Sequence, residues 1–588
     1  RLGKVLEARA SFERILQIDP RHLAGQINLA NIQIDMGNAE CARAMLTKVV
    51  DDYPGSATAW DGLGRAWLAL SVVTEAIDAF IRACSIETAN PNFFSNLANA
   101  LNRAERYDEA LIACHQGLDV APTHVGLLIN AGNTWKGKGD WEQARQCYER
   151  ASAVDPLNPD VFELIGFCHL KAKAYERAAA SYERSLKLRP NCADAWAHRG
   201  LSLAGMARFD EAEQAFRQAL EADADCEVAL IGLPAALRDQ HRWAEALDAH
   251  ARARRLVPGS AEAIYNQSLC QLASGDFSSG WSGYEARWRL PEFSVADASA
   301  GMRRWLGDWD LRESMIVLSA EQGLGDVIQF MRFVPDVAAR AGSVVVRLPA
   351  SLTALTWSKL PSNVSIISTD EPQPTAAWHC PLMSLPLALG YSEAAFHSEA
   401  YIEPDPVRIA SWRERLGARQ RLRVGLVVSG NARHAADRFR SIALQTVLTD
   451  APAELDWVVL QKEIRASDRM APVFANCRVF DDHLVGFEDT AALASCMDLV
   501  ISVDTSVAHL CGAMGIPTWV LLAYNADWRW QTERADSPWY SSVRLFRQKR
   551  IGDWSGVLHE VWAALEAYRA SQMSDRRAGD QALLSQPV

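Results

Sequence analysis

The residues best suited to chemistry gather in four short stretches between positions 321 and 530, each directly after a run that reads as a buried strand. The densest is Ile501-Ser-Val-Asp504-Thr505-Ser506-Val-Ala-His509, where an apolar β-branched run stops and a helix-start signal begins at once. The first turn of such a helix offers unpaired N–H groups and a positive dipole end. Thr505 and Ser506 add hydroxyl donors without charge, a combination suited to phosphate. An ordinary helix cap at Asp504 or Thr505 accounts for the same letters equally well. The second stretch, Glu321-Gln-Gly323-Leu-Gly325-Asp326, places two glycines where the backbone must turn tightly and approach a ligand. It delivers Asp326 to the opening of the next helix, as a catalytic carboxylate or simply as a cap. The third, Ser429-Gly430-Asn-Ala-Arg-His434-Ala-Ala-Asp437-Arg438-Phe-Arg440-Ser441, concentrates positive charge at His434, Arg438 and Arg440 in an otherwise acidic chain. That charge points to a diphosphate partner or to a solvated surface loop. Gln461 and Lys462 follow the next strand in the same way.

These stretches need strands to hold them. Met315–Leu318, Val344–Leu348 and Val364–Ile367 read as strands, with an amphipathic helix expected over Val327–Arg340. Pro404 and Pro406 mark a boundary. Beyond it Val424–Val428, Trp457–Leu460, Leu499–Val503, Thr518–Leu522 and Val543–Phe546 alternate with helical stretches, among them Ser506–Met514 closed by Gly515 and Pro517. The expected architecture is two Rossmann-like β/α halves, 312–405 and 406–570, with ligands in a cleft at the carboxyl ends of the strands. A packed connector around Trp305 and Trp309 covers 291–311, and 571–588 is expected as a tail, frayed from Gly579.

The first half repeats. Pro20, Pro54, Pro122, Pro156, Pro190 and Pro258 are 34 residues or twice 34 apart, the tetratricopeptide (TPR) period. Small residues recur in register at Ala30, Gly64, Ala98, Gly132, Gly166 and Gly200, and aromatic residues at Phe80, Tyr148, Tyr182 and Phe216. An α-solenoid of about eight helical hairpins is expected over 1–290, with a concave groove. Asn28, Asn96 and Asn130 share a register position, and Asn31, Asn99 and Asn133 follow three residues later on the same helix face. A row of amides can hold an extended peptide backbone with little regard to side chains, or can satisfy helix–helix contacts.

Composition narrows the field. With 588 residues, 49% apolar and 22% charged, the chain reads as an ordinary globular protein, and a net charge of −12 argues against a general nucleic-acid binder. Twelve cysteines show no metal-ligand spacing and read as reduced core residues, which favours the cytoplasm. No run approaches eighteen apolar residues, so no membrane span is expected. Asp481-Asp482 has no apparent partner, so no metal site is expected. Arg1 lies inside a repeat, so a natural N-terminus is expected upstream.

The motifs Glu321–Asp326, Asp437-Arg-Phe-Arg-Ser441 and Asp504-Thr-Ser-Val-Ala-His509 with Gly512, Gly515 and Pro517 resemble the bacterial heptosyltransferase-like family of GT-B glycosyltransferases. The asparagine pairs resemble the ladder of the O-linked N-acetylglucosamine transferases. With the repeats and Asp527-Trp-Arg-Trp530, the whole looks like TPR-bearing bacterial glycosyltransferases that modify flagellin. The resemblance implies Asp326 as general base. Donor binding would fall to Asp504, Thr505, Ser506, His509, Arg438 and Arg440, supported by Gly323, Gly325, Ser429, Gly430, His434, Gln461 and Lys462. A protein acceptor, flagellin by that likeness, would lie along Asn28, Asn31, Asn96, Asn99, Asn130 and Asn133. The activity implied is inverting, metal-independent transfer to Ser or Thr hydroxyls, with no cofactor beyond the co-substrate. Where the family typically has a lysine, Arg438-Phe-Arg440 stands, which leaves an NDP-sugar or a CMP-nonulosonic acid as donor. A transferase building lipopolysaccharide or another glycan, with repeats for assembly, and a non-catalytic scaffold are the rival readings.

Overall fold

From Leu2 to Tyr284 the chain is helical, in segments mostly 13 or 14 residues long. The computed structural model describes residues 2–293, 301–392, 396–432 and 437–584. After Leu2–Ile18, eight hairpins follow, from Leu23–Asp35 with Ala39–Asp52 to Ala261–Ser274 with Phe277–Tyr284. The small register positions exist because a ring from the second helix fills the space. A Cβ on Gly64, Gly132, Gly166 or Gly200 would stand 2.4 to 2.9 Å from Phe80, Tyr148, Tyr182 or Phe216. Where the second helix carries the smaller Leu46 or Cys114, the first has Ala30 or Ala98, packed in the same cores.

Each hairpin turns through one residue in the left-handed region: Gly37, Ser71, Glu105, Gly139, Lys173, Ala207, His241 and Gly275, at φ between 55° and 89°. Five of the eight are not glycine. The turn is imposed by the two helices it joins, so a strained residue is tolerated there.

By compactness the chain divides at Gln240/His241 rather than near 290. The reason lies in the aromatic residues of the last helices. Phe277 meets Phe396 edge-on at 5.1 Å, Trp281 meets Trp528 at 5.4 Å and Phe330 at 6.1 Å, and Tyr284 lies 5.9 Å from Trp528. One apolar core thus runs from Leu272 and Trp281 through the first sheet to Ala508, Val520 and Trp539.

Among the described residues thirteen strands follow in chain order: β1 (Arg303–Arg304), β2 (Leu311–Ser319), β3 (Ala341–Leu348), β4 (Thr356–Trp357), β5 (Val364–Ser368), β6 (Trp378–Pro381), β7 (Ile402–Glu403), β8 (Arg423–Val427), β9 (Asp456–Val459), β10 (Cys477–Val479), β11 (Leu499–Val503), β12 (Thr518–Leu522) and β13 (Val543–Arg547). The first sheet, β1-β6-β2-β3-β5, and the second, β10-β9-β8-β11-β12-β13, are parallel throughout, and β4 pairs with β7 antiparallel. Counted from β8, the second sheet runs 3-2-1-4-5-6. Its order therefore reverses between β8 and β11, and the carboxyl ends of those two strands flank the crevice where such folds bind ligands.

Two expectations are corrected. The helix foreseen over Val327–Arg340 is broken into Leu324–Phe330, a 3-10 turn at Met331–Phe333 and Val334–Ala338, because Pro335 cannot donate to the ladder. The frayed tail is helical as far as Leu584, in a segment beginning at Trp554 whose Val557, Leu558, Val561 and Leu565 cover the second sheet. Of the connector, 301–311 is anchored, with Trp305 buried and β1 paired to β6, while 294–300 lies outside the described residues.

Candidate functional site

Asp326 sits one turn into the Leu324–Phe330 helix, and its Oδ2 accepts a hydrogen bond from the Gly323 N–H at 2.8 Å. It is therefore a cap, and it is also something more. Oδ1 stands 2.7 Å from Nη2 of Arg529, a buried guanidinium whose Nη1 donates to Asp527 at 2.7 Å and which lies 4.4 Å over the Trp528 ring. Arg529 is the site residue that sequence reasoning misses. Asp527-Trp-Arg-Trp530 stands out as a motif, yet nothing in the letters says that it reaches across to the loop after β2.

The residues ahead of Asp326 hold the turn in place. Glu321 is not a ligand group: its two oxygens accept from Arg287 at 2.9 and 3.1 Å, and Oε1 also accepts from the Met383 N–H. Gln322 takes a left-handed φ of 60° and donates to the Tyr284 hydroxyl at 3.0 Å. Packing by itself requires a glycine at 325, since a Cβ there would lie 2.9 Å from the His509 ring and 3.4 Å from Ser506 Cα. The loop after β2 and the helix after β11 are thereby pressed together.

At the end of β11, Thr505 occupies the N-cap position of the Ser506–Ala513 helix, but its side chain makes no cap bond. Its hydroxyl lies 3.1 Å from Ser502 Oγ instead. The first-turn N–H groups are thus left without a side-chain cap. Burial, with the neighbouring charge of Asp527, pushes Asp504 up to about 6. Burial would raise Asp527 as well, but the charge and hydrogen bonds of Arg529 outweigh it and hold that carboxyl below its usual range.

His509 is buried, with Nδ1 3.0 Å from the Tyr540 hydroxyl and its ring stacked on Trp530 at 5.1 Å. Burial and then the charge of Arg529 push it down to about 3, so at neutral pH it is an uncharged packing residue. An unfolded histidine titrates near 6.5. Between these values the unfolded chain binds a proton that the folded chain refuses, so this stability is full above pH ~6.5 and is lost as the pH falls. Asp504 acts in the opposite sense, its protonation below pH 6 favouring the fold. On lowering the pH from 7 to 5, the wild type should therefore lose about 2 kcal/mol more than His509→Gln, because Asp504 is common to both. Denaturant midpoints measured at the two pH values check this, and parallel losses would contradict it.

Past β8, Gly430, Ser441 and Arg465 gather around Asp437. Its carboxylate accepts from Ser441 Oγ at 2.8 Å and pairs with Arg465, while Ser441 Oγ accepts from the Gly430 N–H. Gly430 lies against Arg440, where a Cβ would be 2.9 Å from Nη2. Arg440 is partly buried, its Nε has no hydrogen-bond partner among the described residues, and its charge is felt at Asp504. Arg438 is exposed, with its guanidinium 4.6 Å over the Phe439 ring, and His434 lies outside the described residues. Gln461 is a buried strut: its Oε1 accepts from Val428 N–H at 2.7 Å and its Nε2 donates to Ser429 Oγ at 2.8 Å. Lys462 reaches the Val485 carbonyl.

The amide row is largely spent between helices. Asn96 donates to Asp61 at 2.7 Å and Asn130 to the Ser95 carbonyl at 2.8 Å. Asn133 accepts from the Tyr148 hydroxyl and Asn31 from Arg65. Asn28 and Asn99 are exposed. Among the described residues no cluster of three His, Cys, Asp or Glu is placed to hold a metal, and no helix is long and apolar enough to cross a membrane. None of the twelve cysteines is in a disulfide.

Fold and site define a class, a tetratricopeptide solenoid followed by two parallel α/β sheets whose strand-end loops converge around Asp326, Asp504 and Arg529. The family model for the cilia and flagella-associated protein 70 C-terminal domain matches residues 1–191, and the tetratricopeptide repeat model matches 175–225. The chain is 24% identical over 578 residues to Protein FlbA of Caulobacter vibrioides, covering 85% of this chain and 94% of FlbA. It is 24% identical over 216 residues to Protein O-mannosyl-transferase TMTC3 of Homo sapiens, covering 34% of this chain and 23% of that protein. The crystal structure of the APC/C hetero-tetramer Cut9–Hcn1 aligns at a TM-score of 0.37 and 16% identity, over 45% of this chain and 52% of that one. This is a TPR-containing protein with FlbA and an O-mannosyl-transferase among its relatives.

Proposed function

We infer that the α/β half is a GT-B glycosyltransferase that moves a sugar from a nucleotide-sugar donor to a hydroxyl of a protein, with inversion. The observation that carries this reading is the convergence of a helix start lacking a side-chain cap, two arginines with N–H groups in reserve and one carboxylate at the switch point of a 3-2-1-4-5-6 sheet. Asp326 takes the proton of the acceptor hydroxyl as its oxygen attacks the anomeric carbon, a contribution on the order of 10²–10⁴-fold. The bond to the donor phosphate breaks, and the departing charge falls to the N–H groups of Ser506 and its neighbours with Arg440 and Arg529. In most such reactions this electrostatic help lowers the barrier more than the proton transfer does. A relative named as a protein O-mannosyl-transferase fits a protein hydroxyl as acceptor, and flagellin is the acceptor implied by the resemblance above. The inter-helix use of Asn31, Asn96, Asn130 and Asn133 favours a second reading of the repeats, in which they serve assembly rather than presenting a peptide.

Arg440→Ala tests the donor site. Charge-assisted hydrogen bonds are worth about 1.5–3 kcal/mol, so affinity for a nucleoside diphosphate or CMP should fall by about tenfold to a hundredfold in calorimetry. Unchanged affinity across UDP, GDP, ADP and CMP would assign the loop to solvent and remove this reading.

A further inference from the structure

Arg529 carries an unresolved demand. Its guanidinium is buried, yet Nε and Nη2 make no aligned hydrogen bond among the described residues, although Nη2 stands 2.7 Å from Asp326 Oδ1. Unsatisfied buried donors are rare and costly, and two on one cation point to a missing anion. The pair with Asp326 is Coulombic and misaligned, whereas the bond to Asp527 is aligned, so Asp326 is the partner more readily given up. Meanwhile Asp326 has one oxygen on the Gly323 N–H and the other against the cation. Oδ2 is thus committed to the turn and Oδ1 faces a cation that lowers its basicity, and a carboxylate so held is poorly placed to receive a hydroxyl proton. The charge of Arg529 reaches Asp504 and His509, on either side of the helix start where a phosphate would sit.

We propose that Arg529 is a donor-sensing gate on Asp326: a phosphate anion beside Asp504 and Ser506 draws the guanidinium from Asp326 and so frees the carboxylate for the acceptor. Arg529 is thus both a phosphate ligand and the residue that makes the base available only when donor is bound. The arrangement ties donor binding to readiness for transfer. The proposal rests on the reading of the cleft as a donor site.

If phosphate and Asp326 compete for one guanidinium, removing the competitor must strengthen phosphate binding. The full-length chain is titrated calorimetrically with inorganic pyrophosphate as wild type, Asp326→Asn, Arg529→Gln and the double variant. Asp326→Asn should bind about tenfold tighter than wild type, a typical coupling. In the Arg529→Gln background the same substitution should change affinity little. Simple removal of a nearby negative charge predicts instead that the gain persists without Arg529, and that result overturns the gate, as does equal affinity of wild type and Asp326→Asn. No pyrophosphate binding by wild type, with UDP and CMP also silent, sinks the donor site itself and the gate with it. Circular dichroism of each variant separates loss of fold from loss of binding, and Arg529→Lys, which retains a cation, should restore part of the coupling.

Discussion

Asp326→Asn is expected to lower glycosyl transfer at least about a hundredfold while leaving the fold intact and nucleotide affinity no weaker than in the wild type. Asparagine keeps the shape and can still accept from the Gly323 N–H, so the cap survives. It cannot take the acceptor's proton. Two alternatives can be set aside on geometry. Asp437 is buried and committed to Ser441 and Arg465, and His509 is neutral and packed against Tyr540 and Trp530. Label transfer from donor to protein, timed in the initial-rate regime, measures the effect. Wild-type turnover in the variant would take the base away from Asp326.

Arg287→Met should cost the fold about 3–5 kcal/mol, the largest stability effect expected in the chain. Its side chain is fully buried and donates to Glu321 at 2.9 and 3.1 Å, Glu285 at 2.7 Å, Ser384 Oγ at 2.8 Å and the Tyr284 carbonyl at 3.2 Å. Without it two enclosed carboxylates lose the cation that they share, and burial already raises Glu321 above its usual range even with Arg287 present. Adding Glu321→Gln should recover part of the loss, because one stranded charge is removed. Equilibrium denaturation reads both variants, and a single variant within about 1 kcal/mol of wild type would contradict this role for Arg287. The same contacts explain why the chain does not divide at 290. A cut there would strip Phe277, Trp281, Tyr284 and Arg287 from the α/β half and leave the turn carrying Asp326 without its support.

What the letters reveal depends on how many residues share a demand. The 34-residue period is legible because a small residue recurs in register on the first helix, and in four hairpins a ring from the second helix fills the space beside it, as Gly132 with Tyr148 and Gly200 with Phe216. The central strands are legible because a parallel strand buried on both faces is a continuous apolar run, as in Leu499–Val503 and Thr518–Leu522. Edge and short elements escape. β1 is two exposed arginines, and β6 is Trp378-His-Cys-Pro381 with a proline at its end. Left-handed turns at Ser71, Glu105, Lys173, Ala207 and His241 escape because the flanking helices set them. In the site, strand-end logic brings the loop of Asp326 toward the helix start at Ser506, and Gly325 packs against Ser506 and His509 there. At Gly325 and Gln461 the letters are silent on the packing and backbone contacts that the fold gives them, because a glycine or amide needed for packing looks the same as one needed for a ligand. Arg529 can be found only once two loops more than two hundred residues apart meet in space.

The most direct test of the central claim is the intact mass of surface and secreted proteins from cells carrying the wild-type gene or its Asp326→Asn version. A protein glycosyltransferase predicts at least one protein lighter by whole sugar increments in the variant, with its Ser and Thr hydroxyls unmodified. Identical masses across the two sets would contradict transfer to protein.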